Sequence, residues 1–271
     1  MLNFISTPIG NLNDISLRAI DVIRTSDYLY AEDTRNVQKL LKFIQIRIKC
    51  QSFHEHNELE KNKEIIKRLK EKKIVSILSD AGTPAISDPG YKLIRECVQK
   101  NIEYTLIPGP SAVISALIMS GLPTDKFSFY GFVPRKKTEQ QKFFDTILND
   151  DKTAIFFESS KRIQKTISNL IEFTDSNRQI ALCKEMTKIH EKTFRGKISE
   201  INDQLQKKCI NLKGEIVVVL QSSKRNKIMP SIDKRIKNEF LAKLSVTESA
   251  KLISVITGEN KRDVYKKLIQ K

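Results

Sequence analysis

The sequence predicts an α/β protein made of two successive α/β domains followed by a small basic helical domain, and three observations carry that prediction. Short apolar runs alternate with amphipathic stretches from Leu2 to Leu220, the pattern of strands covered by helices on the faces of a sheet. A cluster of chain breakers, Pro108-Gly109-Pro110, interrupts this alternation near its middle. After Gln221 the composition turns to Ser, Lys, Arg, Asn and Pro230, as in a linker, and helical spacing follows. The domains expected from these breaks are 1–109, 110–222 and 230–271, and a chain of 271 residues is long enough to give the first two a core each.

Element by element, Leu2–Ile5, Tyr28–Ala31, Ile46–Ser52, Ile74–Leu78 and Tyr104–Ile107 read as strands of the first domain. Ser16–Arg24, Arg35–Phe43, Glu58–Lys70 and Tyr91–Lys100 read as the helices between them, which predicts a largely parallel sheet. A helix begins near Ser111. Beyond it, Phe127–Phe132, Thr153–Phe157, Ile180–Glu185 and Glu215–Leu220 read as strands, and Gln140–Leu148, Ile163–Phe173 and Ser199–Cys209 as helices. A larger antiparallel share is expected here, because Thr193–Arg195 can pair with a neighbour. In the tail, Asp233–Leu244, a second helix from Thr247 ended by Gly258, and a third reaching Ile269 suggest a small bundle or a helix-turn-helix.

Hydrophobic content of 39% and charged content of 30% are those of a folded globular protein. The net charge of +16 favours a polyanionic partner, since basic side chains gain affinity by displacing counterions from phosphates. Half of that surplus sits in the tail, where residues 224–271 carry 13 Lys or Arg against 5 Asp or Glu. Abundant Lys also solvates helix faces, so charge alone does not decide for nucleic acid. Four scattered cysteines without a CxxC pair read as reduced thiols, and neither a signal peptide nor an apolar run long enough for a bilayer is apparent. A cytoplasmic protein with no membrane association is expected.

Polar loops lie at strand ends, where open α/β sheets bind ligands. The first, Ser6 to Leu12, holds Pro8 and Gly10, and Gly10 admits close approach to the backbone, although Pro-x-Gly is also an ordinary tight turn. Ala31-Glu32-Asp33-Thr34-Arg35 gathers two carboxylates and a guanidinium, which suits proton transfer or, more simply, a capped helix with an ion pair. The stretch from Phe53 to Glu58 contains His54, Glu55 and His56; the two histidines share a face, but with no cysteine or third histidine nearby a polar loop is expected and no metal. Ser79 to Gly90 is rich in breakers, and its small residues leave room for a nucleoside beside exposed amides, while Asp88-Pro89 is suited to capping the next helix. Pro108 to Ala112 precedes a helix whose free amides suit a carboxylate. Glu158 with its neighbours and the loop from Lys184 to Lys188 complete the set, and together they describe one cleft between two domains.

Eight motifs in this order resemble the tetrapyrrole methylase superfamily, the class III S-adenosylmethionine methyltransferases, and specifically its RNA-acting branch. They are TPIGNL at 7–12, AEDTR at 31–35, HEHNE at 54–58, SDAGTPAISDPGY at 79–91, PGPSA at 108–112, SGLPTD at 120–125, GFVPRK at 131–136 and KEMTK at 184–188. The resemblance implies two α/β domains with the cofactor S-adenosylmethionine in the cleft between them, a homodimer, and 2′-O-methylation of a cytidine in 16S rRNA of the small ribosomal subunit. By position it places Ala81, Gly82, Thr83 and Ile86 along the methionine and ribose of the cofactor, with Ser111 and Ala112 opposite. Pro8 and Gly10 belong to the same cofactor-binding set, as do Glu158, Ala181 and the Gly214–Glu215 region from the second domain. Tetrapyrrole-modifying relatives carry Gly-Gly-Asp-Pro where this chain has Ala81-Gly82-Thr83-Pro84, a departure that agrees with the RNA-acting branch. No catalytic base is carried over by the resemblance; Asp33, His54 and Glu55 are the candidates for assisting deprotonation. Two other readings stand beside this one: C-methylation of a tetrapyrrole, and a non-catalytic rRNA-binding assembly factor that kept the fold.

Overall fold

The five strands of the first sheet are short, and the central ones are buried from end to end because both faces are covered. In this computed structural model, which describes residues 1–211, 213–222, 234–257 and 260–269, they are β1 (Leu2–Ile5), β2 (Tyr28–Ala31), β3 (Cys50–Ser52), β4 (Val75–Leu78) and β5 (Tyr104–Ile107). They pair in the order β3-β2-β4-β1-β5, every pair parallel. The inner strands β1 and β4 are buried at every residue, whereas the edge strand β5 buries only Ile107. The crossovers are α1 (Leu17–Thr25), α2 (Thr34–Phe43), α3 (Glu58–Lys70) and α4 (Tyr91–Gln99). Leu2, Phe4, Ile65, Val75, Ile77 and Leu93 make the core on one face of the sheet, and Ile5, Ile23, Leu29, Leu40, Leu41 and Leu78 that on the other.

Two details differ from the sequence reading. The strand expected over Ile46–Ser52 shrinks to Cys50–Ser52, because β3 lies at the sheet edge and pairs only with Leu29 to Ala31. Ile46 and Ile48 pack instead as partly buried side chains beneath α2. The cap expected from Asp88-Pro89 is also displaced. Gly90, at φ 126°, is the N-cap of α4 and Tyr91 its first residue, so Pro89 lies outside the helix and the Asp88 side chain is left for another use.

From β5 the chain passes into α5 (Ala112–Ser120), closed by Gly121 in the left-handed conformation at φ 71°. The second sheet follows: β6 (Phe127–Phe132), β7 (Thr153–Ser159), β8 (Gln179–Lys184), β9 (Lys192–Lys197) and β10 (Glu215–Leu220), in the order β6-β7-β10-β8-β9. Only β6 and β7 are parallel. The β8–β9 hairpin realises the antiparallel pairing expected around Thr193–Arg195. Helices α6 (Lys137–Asn149), α7 (Ile163–Phe173) and α8 (Ile198–Gln206) bury Phe144, Ile147, Ile167, Leu170 and Ile201 against one face. On the opposite face α5 lays Val113, Ala116 and Leu117 over Ile155, Ala181, Cys183, Val217 and Val219, and Ile9 from the first sheet's loops joins this cluster. Fully burying each such aliphatic side chain contributes roughly 1.5–3 kcal/mol, so α5 and Ile9 hold the two sheets in one body.

The chain divides into two units, residues 1–223 and 224–271. The second contains α9 (Lys234–Lys243), α10 (Val246–Thr257) and α11 (Lys261–Ile269). Its core is small: Ala250, Ile253 and Val264, with Phe240 and Leu268 against them. Ser245 and Glu248 form a capping box at the start of α10, the Ser245 amide donating to the carboxylate at 3.1 Å and the Ser245 hydroxyl accepting from the Glu248 amide at 3.3 Å. Lys243, Lys251, Lys261, Arg262, Lys266 and Lys267 are exposed. The expected linker around Pro230 and the stop at Gly258 lie outside the described residues.

Candidate active site

In a wholly parallel sheet every loop that follows a strand emerges at the same edge. The loops after β1, β2, β4 and β5 therefore converge, with no further assumption than the strand directions. The first and third are stitched together: Thr7 and Gly82 exchange both backbone hydrogen bonds at 2.9 and 3.0 Å, and the Thr7 hydroxyl donates to the Ser79 carbonyl at 3.0 Å. Gly82 sits at φ 86°, and a Cβ there would stand 3.4 Å from Ile9 Cγ2.

These loops meet the second sheet around a cavity of about 410 Å³, within the roughly 300–1,000 Å³ of small-molecule sites. From the first sheet come Ile9, Asp80 to Thr83, Ile86 to Asp88, and Ser111 to Val113. The second sheet contributes Phe132, Phe157, Glu158 to Ser160, and Gly214 to Val217. Phe132 and Ile86, 61% and 49% exposed, stand at the mouth. Ser111 caps α5, its hydroxyl accepting from the Ile114 amide at 3.5 Å, while the amides of Ala112 and Val113 in the first turn have no acceptor within the helix.

Of the residues singled out in the sequence, Ala81, Gly82, Thr83, Ile86, Ser111, Ala112 and Glu158 lie on the cavity wall, together with Gly214 and Glu215. Pro8, Gly10 and Ala181 lie off it. A Cβ on Gly10 would fall 2.5 Å from Lys188 Cγ and 3.0 Å from the Met186 carbonyl, and the Asn11 amide donates to the Thr187 hydroxyl at 3.0 Å. The close approach that requires glycine at 10 thus comes from the loop after β8. Ala181, with no exposed surface, packs beneath α5. Glu158 presents its carboxylate inward, accepting from the Ser159 amide at 2.7 Å, Arg162 Nε at 2.8 Å and the Thr166 hydroxyl at 2.7 Å.

Asp33, His54 and Glu55 lie off the cavity wall, Asp33 joined to it through Asp80 and the other two near Glu32. Asp33 accepts from the Arg35 amide at 2.9 Å and pairs with its guanidinium at 2.7 Å, and these bonds hold its carboxyl down at about 2. Its own amide donates to Asp80 Oδ1 at 2.8 Å, which ties this loop to the cavity wall. Glu32, its neighbour in sequence, has a raised pKa, first from burial and then from Asp80 and Glu55, with His54 opposing. The His54 and His56 rings stand 5.9 Å apart. Among the described residues no group of three His, Cys, Asp or Glu side chains is placed to hold a metal ion.

The reading of the sequence passed over Asp80, Ser87, Phe132 and Phe157 as wall residues and gave Asp88 only a capping role. For Asp88 a signal was present, a carboxylate inside a run of turn residues, but an N-cap satisfies the same pattern. Its carboxyl is pushed up to about 7 by burial, then by Glu32 and Asp80.

A family model described as tetrapyrrole (corrin/porphyrin) methylases matches residues 1–202. A ribosomal RNA small subunit methyltransferase I of Thermotoga maritima is 43% identical over 219 residues, covering 81% of this chain and 97% of that one. Its counterpart from Rickettsia prowazekii is 40% identical over 268 residues, covering 98% and 93%. The solved uroporphyrin-III-C-methyltransferase from Thermus thermophilus shares the fold, with a TM-score of 0.58 at 15% identity over 81% of this chain and 94% of that one. The chain belongs to the tetrapyrrole (corrin/porphyrin) methylase family, alongside its ribosomal RNA small subunit methyltransferase I members.

Proposed function

We propose that this chain transfers a methyl group from S-adenosylmethionine to the 2′-hydroxyl of a cytidine in 16S rRNA of the small ribosomal subunit. The observation that carries the reading is the single cavity in which Ala81 to Thr83 and Ser111 of the first sheet's loops face Phe157 and Ile216 of the second. Its chemistry fits the donor. The apolar wall of Ile9, Ile86, Phe157, Ile216 and Val217 suits an adenine ring and a thioether chain, and the free amides at the start of α5 suit a carboxylate. S-adenosylmethionine supplies a methyl group already activated on a positively charged sulfur.

What remains for the protein is orientation, exclusion of water and a proton acceptor. The carboxylates of Asp80 and Asp88 on the wall, with Glu32, Asp33 and Glu55 beyond it, suit both a sulfonium and a departing proton. The choice of RNA rests on the relatives named for the small-subunit rRNA, and on the net +16 with its concentration in the tail. We place the protein in the cytoplasm, as a homodimer, with lobes 1–109 and 110–222 enclosing the donor and 230–271 as a basic helical module; no described helix is long and apolar enough to cross a membrane.

Incubating the protein with labelled donor and small subunits from a strain lacking this modification tests the proposal. One labelled cytidine, methylated on its ribose, is the expected product. Label on a base, on protein or nowhere counts against it, and methylation of uroporphyrinogen would favour the tetrapyrrole reading. Binding of the donor without transfer to any subunit would favour an assembly factor.

A further inference from the structure

The loop from Ser79 to Gly90 is held more firmly than a connection requires. Ala85 and Ser87 adopt left-handed φ values of 63° and 64°, between Gly82 and Gly90 at 86° and 126°. Residues with a side chain persist there only where their surroundings impose it, and such positions cluster at functional sites. Here the surroundings are visible. Ser79 Oγ donates to the Gly82 carbonyl at 2.6 Å, and the Gly90 amide donates to Glu58 Oε1 at 3.2 Å. Glu58 is itself buried and paired with Lys92 at 3.0 Å.

What this frame presents is Asp88. The residue is on the cavity wall, yet its Oδ2 is shielded from solvent and has no hydrogen-bond partner in the protein. Buried polar atoms nearly always find a partner, so this oxygen, shut into the wall without one, leaves the carboxylate's charge uncompensated, and a donor in the cavity meets the group at its other oxygen. Several other carboxylates nearby are committed, and Glu32 and Glu55 are not on the cavity wall. Asp33 is bound to Arg35, Glu58 to Gly90 and Lys92, and Glu158 to Ser159, Arg162 and Thr166. Asp80 accepts from the Asp33 amide.

We propose that the Asp88 carboxylate is the proton acceptor for the reacting ribose hydroxyl. This rests on the methyl-transfer reading. The ribose oxygen gains the methyl group and loses its proton to Asp88, while the donor's sulfur–carbon bond breaks and leaves a neutral thioether. Burial, with Glu32 and Asp80 facing it and His54 and Glu55 standing behind Glu32, sets the proton affinity of Asp88 close to neutrality, where a carboxylate is the stronger acceptor and still ionised in part. Asp33, ionised down to about 2, is a much weaker base.

The test compares wild type, Asp88→Asn and Asp88→Glu as full chains. Single-turnover methyl transfer to small subunits is followed from about pH 5.5 to 9, with donor affinity measured by calorimetry and folding by thermal unfolding. The wild-type rate rises with pH to a plateau through an inflection near 7. Asp88→Asn loses roughly 10²–10⁴-fold in rate and loses the inflection, while donor affinity stays within about threefold. Asp88→Glu keeps part of the rate with its inflection moved. An Asp88→Asn protein within about fivefold of wild type and retaining the inflection overturns the assignment. Should the Asn variant not fold, an unmoved inflection in Asp88→Glu overturns it equally. If wild type itself transfers nothing to RNA, the methyl-transfer reading falls and this role falls with it, whereas an active wild type beside an equally active Asn variant removes only Asp88.

Discussion

Truncating Glu158 to alanine separates the two things this residue can do. With 0% of its side chain exposed it collects the Ser159 amide, Arg162 and Thr166 at 2.7–2.8 Å. Arg162 donates onward to the Val133 carbonyl at 2.6 Å, which ties β7, α7 and the strand end at Val133 into one knot. Removing one partner of a buried ion pair costs about 3–5 kcal/mol because the other charge is stranded. Arg162 retains 29% exposure and its bond to Val133, so we set the expected loss below that range, about 2–3 kcal/mol. For a unit of this length that is a fall in Tm of roughly 5–10 °C. Urea unfolding and calorimetry measure it, with Glu158→Gln expected to fall between wild type and alanine. A Glu158→Ala protein within about 0.5 kcal/mol of wild type would refute the reasoning. Loss of donor binding in that stable variant would show that the carboxylate serves the ligand and not the fold.

Two glycines are expected to behave differently. Gly82→Ala places an L side chain at φ 86°, a strain of about 1–2 kcal/mol on the cavity wall, so calorimetry should show donor binding weakened roughly fivefold or more. Gly10→Ala drives a Cβ to 3.0 Å from the Met186 carbonyl, and the about 1–3 kcal/mol of overpacking should appear in the urea midpoint with donor affinity little changed; equal effects in both assays would contradict this division. Asp88 has a native pKa raised to about 7 from its ordinary 3.8, so its contribution to stability is present below about 4 and is lost as pH rises through 7. Asp88→Asn does not titrate, and its urea midpoint relative to wild type should therefore climb between pH 5 and pH 8; a constant difference would mean that Asp88 is not perturbed. Asp33→Asn should leave the pH–rate inflection near 7 in place, since Asp33 is already ionised throughout that range, and an inflection that vanished with it would transfer the acceptor role to Asp33.

Periodicity alone located the strands and helices that bury one side, because a half-buried helix such as α3 or a doubly covered strand such as β4 has little freedom in where its apolar residues fall. The failures came where local pattern and tertiary position part. Ile46 and Ile48 have strand character, but a sheet edge offered them no partner, and they turned under α2. Among the site residues, Ala81 to Thr83, Ile86, Ser111, Ala112 and Glu158, named from the family resemblance, reach the cavity wall; all but Glu158 lie in loops after a strand whose carboxyl end faces the crevice, and Glu158 lies near the end of β7. Ala181 does not, since its place beneath α5 depends on how a helix from one half of the chain lies on the sheet of the other.

By itself, then, the order of residues determined the alternation of elements, the parallel first sheet, the common edge of its loops and the basic tail. All of these depend on local stereochemistry and on apolar spacing within about ten residues. Only the tertiary structure decided that Gly10 makes room for Lys188, that Glu158 turns inward to Arg162, and that Asp88 lines the cavity beside Glu32 and Asp80 with its Oδ2 buried and unpartnered. Those outcomes set hydrogen-bond partners and proton affinities. They depend on distances between groups far apart in the chain, which no short window of sequence encodes.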